Sequence, residues 1–455
     1  MKTFILPLTV EELQAVLRGN LWDRIIGIQG YRFPESSIVS NFRIRETPAD
    51  FRVSEKIREG EIKRIIAAKK VEPSSYRYAI YLANKKKMET SELVRSLASS
   101  MGLQVWEIKH LGLKDKRAVT SQFLCAKLRR EMRPPIRMQG THWDAELCGF
   151  SDRPLNPEDV IGNAFEITLK VEESIDRDQL DSFFRRFVHW STTNGIPDFY
   201  GYQRFGTTRP INHVLGYLMM KRDFVGACDI VLGLGSSFEP DRLRTERDEY
   251  RRSHNPTKLL RELPRSFRIE RNLCFSLSRG KTEKEAFMRL PITEIRFLLE
   301  SFSNFIFNLT LSKWIGEGAR PTRGDFFVPL DDFGSPIDAV AKLTEETEHV
   351  LLNDFERQKA APAIPLPGYL TEETIYDETR QILEELEIDC NSFLFEGKTQ
   401  ASYPGGFRQA LTWPRNLEIS MSNWPRCRLS FLLKRGSYAT ILLRELLKPK
   451  SPISV

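Results

Sequence analysis

Hydrophobic and polar residues alternate with period two at two places in the first half of the chain. Tyr76, Tyr78, Ile80 and Leu82 fall on one face of an extended segment, which predicts a half-buried strand. Phe165, Ile167, Leu169 and Val171 repeat the pattern after Gly162-Asn163, a dipeptide that predicts a turn. Elsewhere the period becomes helical. Thr90 is a capping residue type, and behind it Leu93, Val94 and Leu97 form one stripe. Leu180, Phe183, Phe184, Phe187 and Val188 form another, which Gly195 ends. Ser121 to Leu128 returns to strand-like composition. Strands and helices therefore interleave over residues 40–220, as in an α/β or α+β layer fold.

From about residue 224 to 403 the texture differs. Arg242 to Arg252 mixes Arg and Glu and predicts a solvated helix face. Ile295, Leu298, Leu299, Phe302, Phe305, Ile306 and Leu309 predict a long amphipathic helix ending near Gly316. Residues 358–368, rich in Ala and Pro, predict a loop. After residue 404 strand texture resumes, with Leu429, Phe431 and Leu433 alternating.

At 455 residues the chain exceeds one ordinary core, so two units, or one with a large insertion, are expected. The net charge of +7 favours a polyanionic partner. The six cysteines and six histidines are scattered, with no C-x-x-C or H-E-x-x-H spacing, so no metal site is expected. Gly397-Lys398-Thr399 has Ser392 where a phosphate-binding loop needs glycine. Gly233-Leu234-Gly235 has Phe238 where a dinucleotide fingerprint needs its third glycine. No cofactor is expected. The apolar start, Met1 to Val10, runs at once into Glu11 and Glu12 without a cleavage pattern and reads as part of the fold. No apolar run reaches membrane-span length, so a cytoplasmic protein with no membrane partner is expected.

The chemistry concentrates in one string, His110-Leu111-Gly112-Leu113-Lys114-Asp115-Lys116-Arg117-Ala118-Val119-Thr120-Ser121-Gln122. By itself it is a turn with one carboxylate among three cations, a pattern shared by ordinary surface turns. Glycine at 112 permits a close backbone approach. Lys85-Lys86-Lys87 and the basic stretch Lys127 to Arg137 are candidates for phosphate contact or for solvated faces.

The string G-L-K-D-K-R-A-x-T-x-Q resembles the signature of the TruD family of tRNA pseudouridine synthases. Three further segments agree in order. Thr47-Pro48-Ala49-Asp50-Phe51-Arg52-Val53-Ser54-Glu55 is similar to the family's P-E-D-F-x-V-x-E. I-P-D-F-Y-G-Y-Q-R-F-G, from Ile196 to Gly206, is similar to P-N-Y-F-G-x-Q-R-F-G. Gly436-Ser437-Tyr438-Ala439-Thr440 with Arg444-Glu445 resembles the archaeal and eukaryotic branch. Ala49 replaces the usual Glu, Asp198 the usual Asn, and Tyr200 an aromatic that is often Phe.

The resemblance implies an α+β pseudouridine synthase fold: a mixed, largely antiparallel sheet flanked by helices, with a large inserted α/β domain. The catalytic domain is expected over residues 1–223 and 404–455, and the insertion over 224–403. It implies a monomer that converts uridine to pseudouridine, at position 13 in the D arm of tRNA or in other structured RNA, without a cofactor. Asp115 is the expected nucleophile, attacking either ribose carbon 1 or uracil carbon 6. Lys114, Arg117, Asp198, Tyr200, Arg204 and Phe51 are the expected substrate-binding residues. Lys114, Lys116 and Arg117 are expected to keep the Asp115 carboxylate ionised. Tyr200 is expected to stack on the flipped base, offsetting the few kcal/mol that extrusion costs. Phe199 reads as core. Asp198 is expected to be neutral, donating a hydrogen bond as Asn would; the alternative is an ionised Asp198 paired with a cation such as Arg204. Two rivals stand beside this reading: a silent RNA-binding protein on the same scaffold, which an intact Asp115 opposes, and a methyltransferase or nuclease, which would need a glycine-rich cofactor loop or clustered metal-binding carboxylates.

Overall fold

A computed structural model describes residues 9–18, 22–39, 42–68, 76–116 and 118–449. The apolar start up to Leu8 lies outside the described residues. The first eight strands are β1 (Phe42–Ile44), β2 (Phe51–Ile57), β3 (Tyr78–Lys86), β4 (Ile108–His110), β5 (Val119–Lys127), β6 (Arg137–Gly140), β7 (Trp143–Ser151) and β8 (Val160–Val171). β9 (Ile196–Pro197) pairs with β14 (Leu411–Thr412). β10 (Phe326–Pro329), β11 (Ala341–Lys342), β12 (Ala360–Leu366) and β13 (Gly406–Gln409) form a second sheet in the order β11-β10-β12-β13. β15 (Arg415–Asn423) and β16 (Arg426–Lys434) return to the main, 10-stranded sheet, ordered β15-β16-β8-β2-β5-β3-β7-β6 with β1 on β8 and β4 on β5. Among the described residues β2 and β5 are its one parallel pair, so the sheet is mixed and largely antiparallel.

Side chains alternate between the faces of a strand, so cross-strand partners define what each face carries. Lys85, Thr120, Val53, Phe165 and Phe431 form one row across five strands. In the β8 and β16 half, this face packs Phe165, Ile167, Leu169, Leu429, Phe431 and Leu433 against helices Arg177–Asn194 and Ala439–Leu447. In the β3 and β5 half it packs Ala79, Tyr81, Ala83 and Leu124 against helix Thr90–Met101. Between the two sets of helices the same face turns polar, and the site lies there.

Several local expectations are corrected by packing. Gly162-Asn163 is strand, not turn: a Cβ at Gly162 would come 2.1 Å from the Leu433 carbonyl oxygen, so glycine lets β16 close on β8. β3 is buried on both faces, not one, because it is flanked by β5 and β7 and roofed by helix Thr90–Met101. Residues 360–366 are not loop but β12, buried throughout, and Pro362 still accepts the Ala410 N–H through its carbonyl at 2.7 Å. The long helix, Ile292–Gly316, is buried on every side from Ser301 to Ser312 because it runs through the centre of the second core. Helix Asp241–Ser253 hides part of its charge. Arg247 is fully buried, paired with Glu239 at 2.9 Å and donating to the carbonyls of Val231 and Leu232.

That second core joins residues that the sequence texture separated. Trp22 to Ile28, Phe199 to Met220 and the helices from Phe224 to Gly316 share one apolar cluster, so the expected boundary at 223/224 runs through its middle. β13, beyond the expected boundary at 403/404, belongs to the second sheet. This region is helical with an antiparallel sheet, where an α/β unit was expected. The C-terminal helix ties the N-terminal segment down: Glu445 accepts the backbone N–H of Arg32 and of Phe33 at 2.9 Å, and Arg444 pairs with Asp23 at 2.6 Å.

Candidate active site

Asp115 stands in the turn between β4 and β5, above the polar part of the sheet face. Buried groups hold its backbone. Lys85, from β3, donates through Nζ to the carbonyl oxygens of Met88 (2.8 Å), Lys114 (3.1 Å) and Asp115 (2.9 Å). Three carbonyls match the three donors of an ammonium group. Burial pushes Lys85 down to about 8. Thr90 accepts the Lys114 N–H at 3.0 Å and donates to Gln122 at 3.3 Å. It is the first residue of its helix, after the cap position at Glu89, so its hydroxyl serves the turn. From β2, the buried Glu55 accepts Lys114 Nζ at 2.8 Å and the Phe123 N–H at 2.9 Å. Lys114 thus points inward to the sheet and does not face solvent.

The Asp115 carboxylate itself is 41% exposed and lies 3.5 Å from Arg45. Arg45 stacks on the buried Phe51 ring at 4.0 Å. It adopts φ +63, a left-handed conformation that a side-chain-bearing residue holds only when its surroundings impose it. Phe51 therefore carries a guanidinium, and Arg45 is a cation beside Asp115. Arg117 lies outside the described residues. Gly112 is unhindered: an added Cβ would meet nothing closer than Lys114 Nζ at 3.6 Å.

Beneath the turn, Thr120 Oγ1, the Gln122 amide nitrogen and Asn163 Oδ1 are buried with no hydrogen-bond partner. Each such group costs about 1–3 kcal/mol, and their concentration marks a strip of the sheet built for something other than packing.

The second cluster forms where β9, β13 and β16 converge. Leu433 pairs with Asn163, and Asn163 with Glu55, so the β16 end lies two strand spacings, about 10 Å, from the Glu55 backbone. Asp198 is fully buried and meets Lys434 at 2.9 Å, Arg408 at 3.1 Å and the Ser437 hydroxyl at 2.7 Å. Burial works to raise its pKa, but Arg408, Lys434 and Ser437 outweigh it and hold the carboxyl below the usual range. The expectation of a neutral, Asn-like Asp198 is thereby corrected: two cations reach it from distant strands. Its partner is not Arg204, which pairs with Glu300 and lies over Phe297 at 4.5 Å. Arg408 also covers the Tyr200 ring at 4.0 Å and donates to the Asp198 and Gly436 carbonyls. Asn308 clamps the Tyr200 backbone, accepting its N–H at 2.9 Å and donating to its carbonyl at 3.1 Å. Phe199 is core, fully buried.

Sequence reasoning placed Asp115 and Lys114 in the site but missed Arg45, Arg408 and Lys434, and misread Lys85 and Thr90. Glu55 left a usable signal, and Lys85 is placed only by the strand. Glu55 closes the P-A-D-F-R-V-S-E segment, and Lys85 shares the inward face with Tyr81 and Ala83. Lys86 and Lys87 are exposed.

The sequence model of the family described as tRNA pseudouridine synthase D (TruD) matches residues 26–446. A relative in Pyrobaculum islandicum, named a probable tRNA pseudouridine synthase D, is 28% identical over 90% of this chain and 92% of its own. One of the same name in Halobacterium salinarum is 28% identical over 95% and 98%. The crystal structure of the chain assigned as tRNA pseudouridine synthase D (TruD) in Methanosarcina mazei superposes with a TM-score of 0.73. It covers 95% of this chain and 98% of that one at 24% identity, a likeness of fold.

Proposed function

The chain belongs to the tRNA pseudouridine synthase D (TruD) family, and we propose that Asp115 is the nucleophile with which it isomerises uridine to pseudouridine in tRNA. The reaction breaks the bond between uracil nitrogen 1 and ribose carbon 1 and forms one from uracil carbon 5 to that carbon. The carbon 5 proton is lost and nitrogen 1 gains one. No electrons enter or leave, so the chemistry needs neither a redox nor a nucleotide cofactor. The target is the uridine at position 13 of the D arm, and other structured RNA presenting the same flipped uridine is a further substrate. The enzyme works as a cytoplasmic monomer.

The observation that carries this reading is the setting of Asp115: an accessible carboxylate, opposite Arg45, on a backbone pinned by Lys85, Thr90 and Glu55. A nucleophile needs its reactive atom open and its position fixed. Lys114 and Glu55 set the turn, and Arg45 orients the carboxylate through Phe51. Arg117 contributes further positive charge. Tyr200, braced by Arg408, stacks on the extruded uracil, and Asp198 holds Arg408 in place for it. Arg204 supports this side by anchoring the segment that follows Tyr200. The RNA lies between the sheet face and the unit built on the second core.

The test is to map pseudouridine in tRNA from cells with and without this protein. Loss of one D-arm pseudouridine, restored by the wild-type chain and not by Asp115→Asn, is expected.

A further inference from the structure

Trp106 is 72% exposed, although tryptophan is highly buried on average. It sits in the turn Val105–Glu107, directly before β4, whose far end leads into the turn that carries Asp115. The turn is rigid. Glu107 is buried, accepts the Gln104 N–H at 2.8 Å, and is gripped by Arg129 at 2.5 and 3.2 Å. The same grip ties Trp106 to the basic segment after β5. In the two segments that this grip joins, Lys109, Lys127, Arg130 and Arg133 are exposed, against one exposed acid, Glu131. The ring is thus presented on a fixed mount that is tied to a basic stretch of chain.

An apolar protein surface or a lipid tail would cover the ring but leave these cations unmatched. Nucleic acid satisfies both, because a base stacks on the ring while its phosphates meet the lysines and arginines. We propose that Trp106 is a stacking post for an unpaired base of the substrate RNA, a second nucleotide site outside the cleft, with Lys109, Arg130 and Arg133 holding its phosphates. The inference rests on the reading of this protein as an RNA enzyme. It assigns Trp106 to holding the RNA and not to the reaction.

The test compares wild type, Trp106→Ala and Trp106→Phe on one unmodified tRNA transcript. Filter binding gives Kd, and single-turnover assays at saturating transcript give the rate of pseudouridine formation. Trp106→Ala should weaken binding about ten-fold, the size of one lost base stack, and Trp106→Phe should recover most of it. The saturated rate should not change in either variant. A Kd for Trp106→Ala equal to wild type, in a protein with unchanged melting, overturns the proposal. So does a Trp106→Phe variant as weak as Trp106→Ala. Absence of pseudouridine with the wild-type protein would defeat the catalytic reading instead, and the binding comparison would still decide this one.

Discussion

Lys85 Nζ lies 2.9 Å from the carbonyl oxygen of Asp115 and holds that residue by its backbone, not by its carboxylate. The ammonium is buried in the sheet face, and its three donors are taken up by three carbonyls. Fixing a reacting group through its main chain separates two requirements that a side-chain partner would oppose, immobility and availability.

That arrangement has a pH signature. Lys85 titrates near 8 in the folded protein, against about 10.4 in an unfolded chain. On deprotonation the amine keeps two N–H donors for three carbonyls, so the turn loosens and activity should fall as pH rises through about 8. Global stability should not follow. Between the two values the unfolded chain binds more protons than the folded one, so this group makes folding more favourable as pH rises. Single-turnover rates and thermal melts from pH 6 to 10 check the divergence. Lys85→Met should be slow throughout and lack the alkaline limb that starts near 8.

Glu55 and Arg45 should fail in different ways. Glu55→Ala leaves the Lys114 ammonium and the Phe123 N–H without their buried acceptor, and should destabilise the fold by about 3 kcal/mol. Arg45→Ala removes a partly exposed pair, and should cost under about 1 kcal/mol of stability. Its rate should drop at least about ten-fold at saturating tRNA, because the carboxylate loses its orienting cation. Denaturant melts beside saturated single-turnover rates separate the two. An Arg45→Ala enzyme with wild-type rate would remove Arg45 from the site.

Asp198→Asn should be costly although Asn is the usual residue of the motif that this segment resembles. The amide cannot neutralise Arg408 and Lys434, and breaking such a buried set costs about 3–5 kcal/mol. The wild-type Asp198 pKa is lower folded than unfolded, so the unfolded chain takes up its proton first. Its contribution is complete above about pH 4 and is lost as pH falls through the folded-state value. The gap between the melting temperatures of the two proteins, followed from pH 7 to 3, should begin to narrow at the acid end. A variant as stable as wild type at pH 7 would contradict the ion set.

The legible parts of this protein were those fixed locally. Period-two runs located β8 and β16, and Gly195 did end its helix, with φ +73. Lys114 and Asp115 stood out because their turn carries a family signature. What escaped depends on distant partners. Asp198 is ionised because Arg408 and Lys434, more than two hundred residues away, reach it, and nothing near Asp198 announces them. β12 was hidden by its prolines, which signal loop unless neighbouring strands supply the pairing. The polar and apolar pattern also could not separate Lys85 from Lys86 and Lys87. Only the strand's inward face decides that one of three lysines is buried.

If Asp115 is the nucleophile, replacing its carboxylate by an amide is decisive. Asn is nearly isosteric, so Asp115→Asn should keep the fold and the tRNA affinity while removing the attacking group. The direct measurement is pseudouridine formed per enzyme in a single turnover on unmodified tRNA, alongside Kd for the same transcript. No detectable product, with a Kd close to wild type, is expected. Product formation at a tenth of the wild-type rate or more would contradict it.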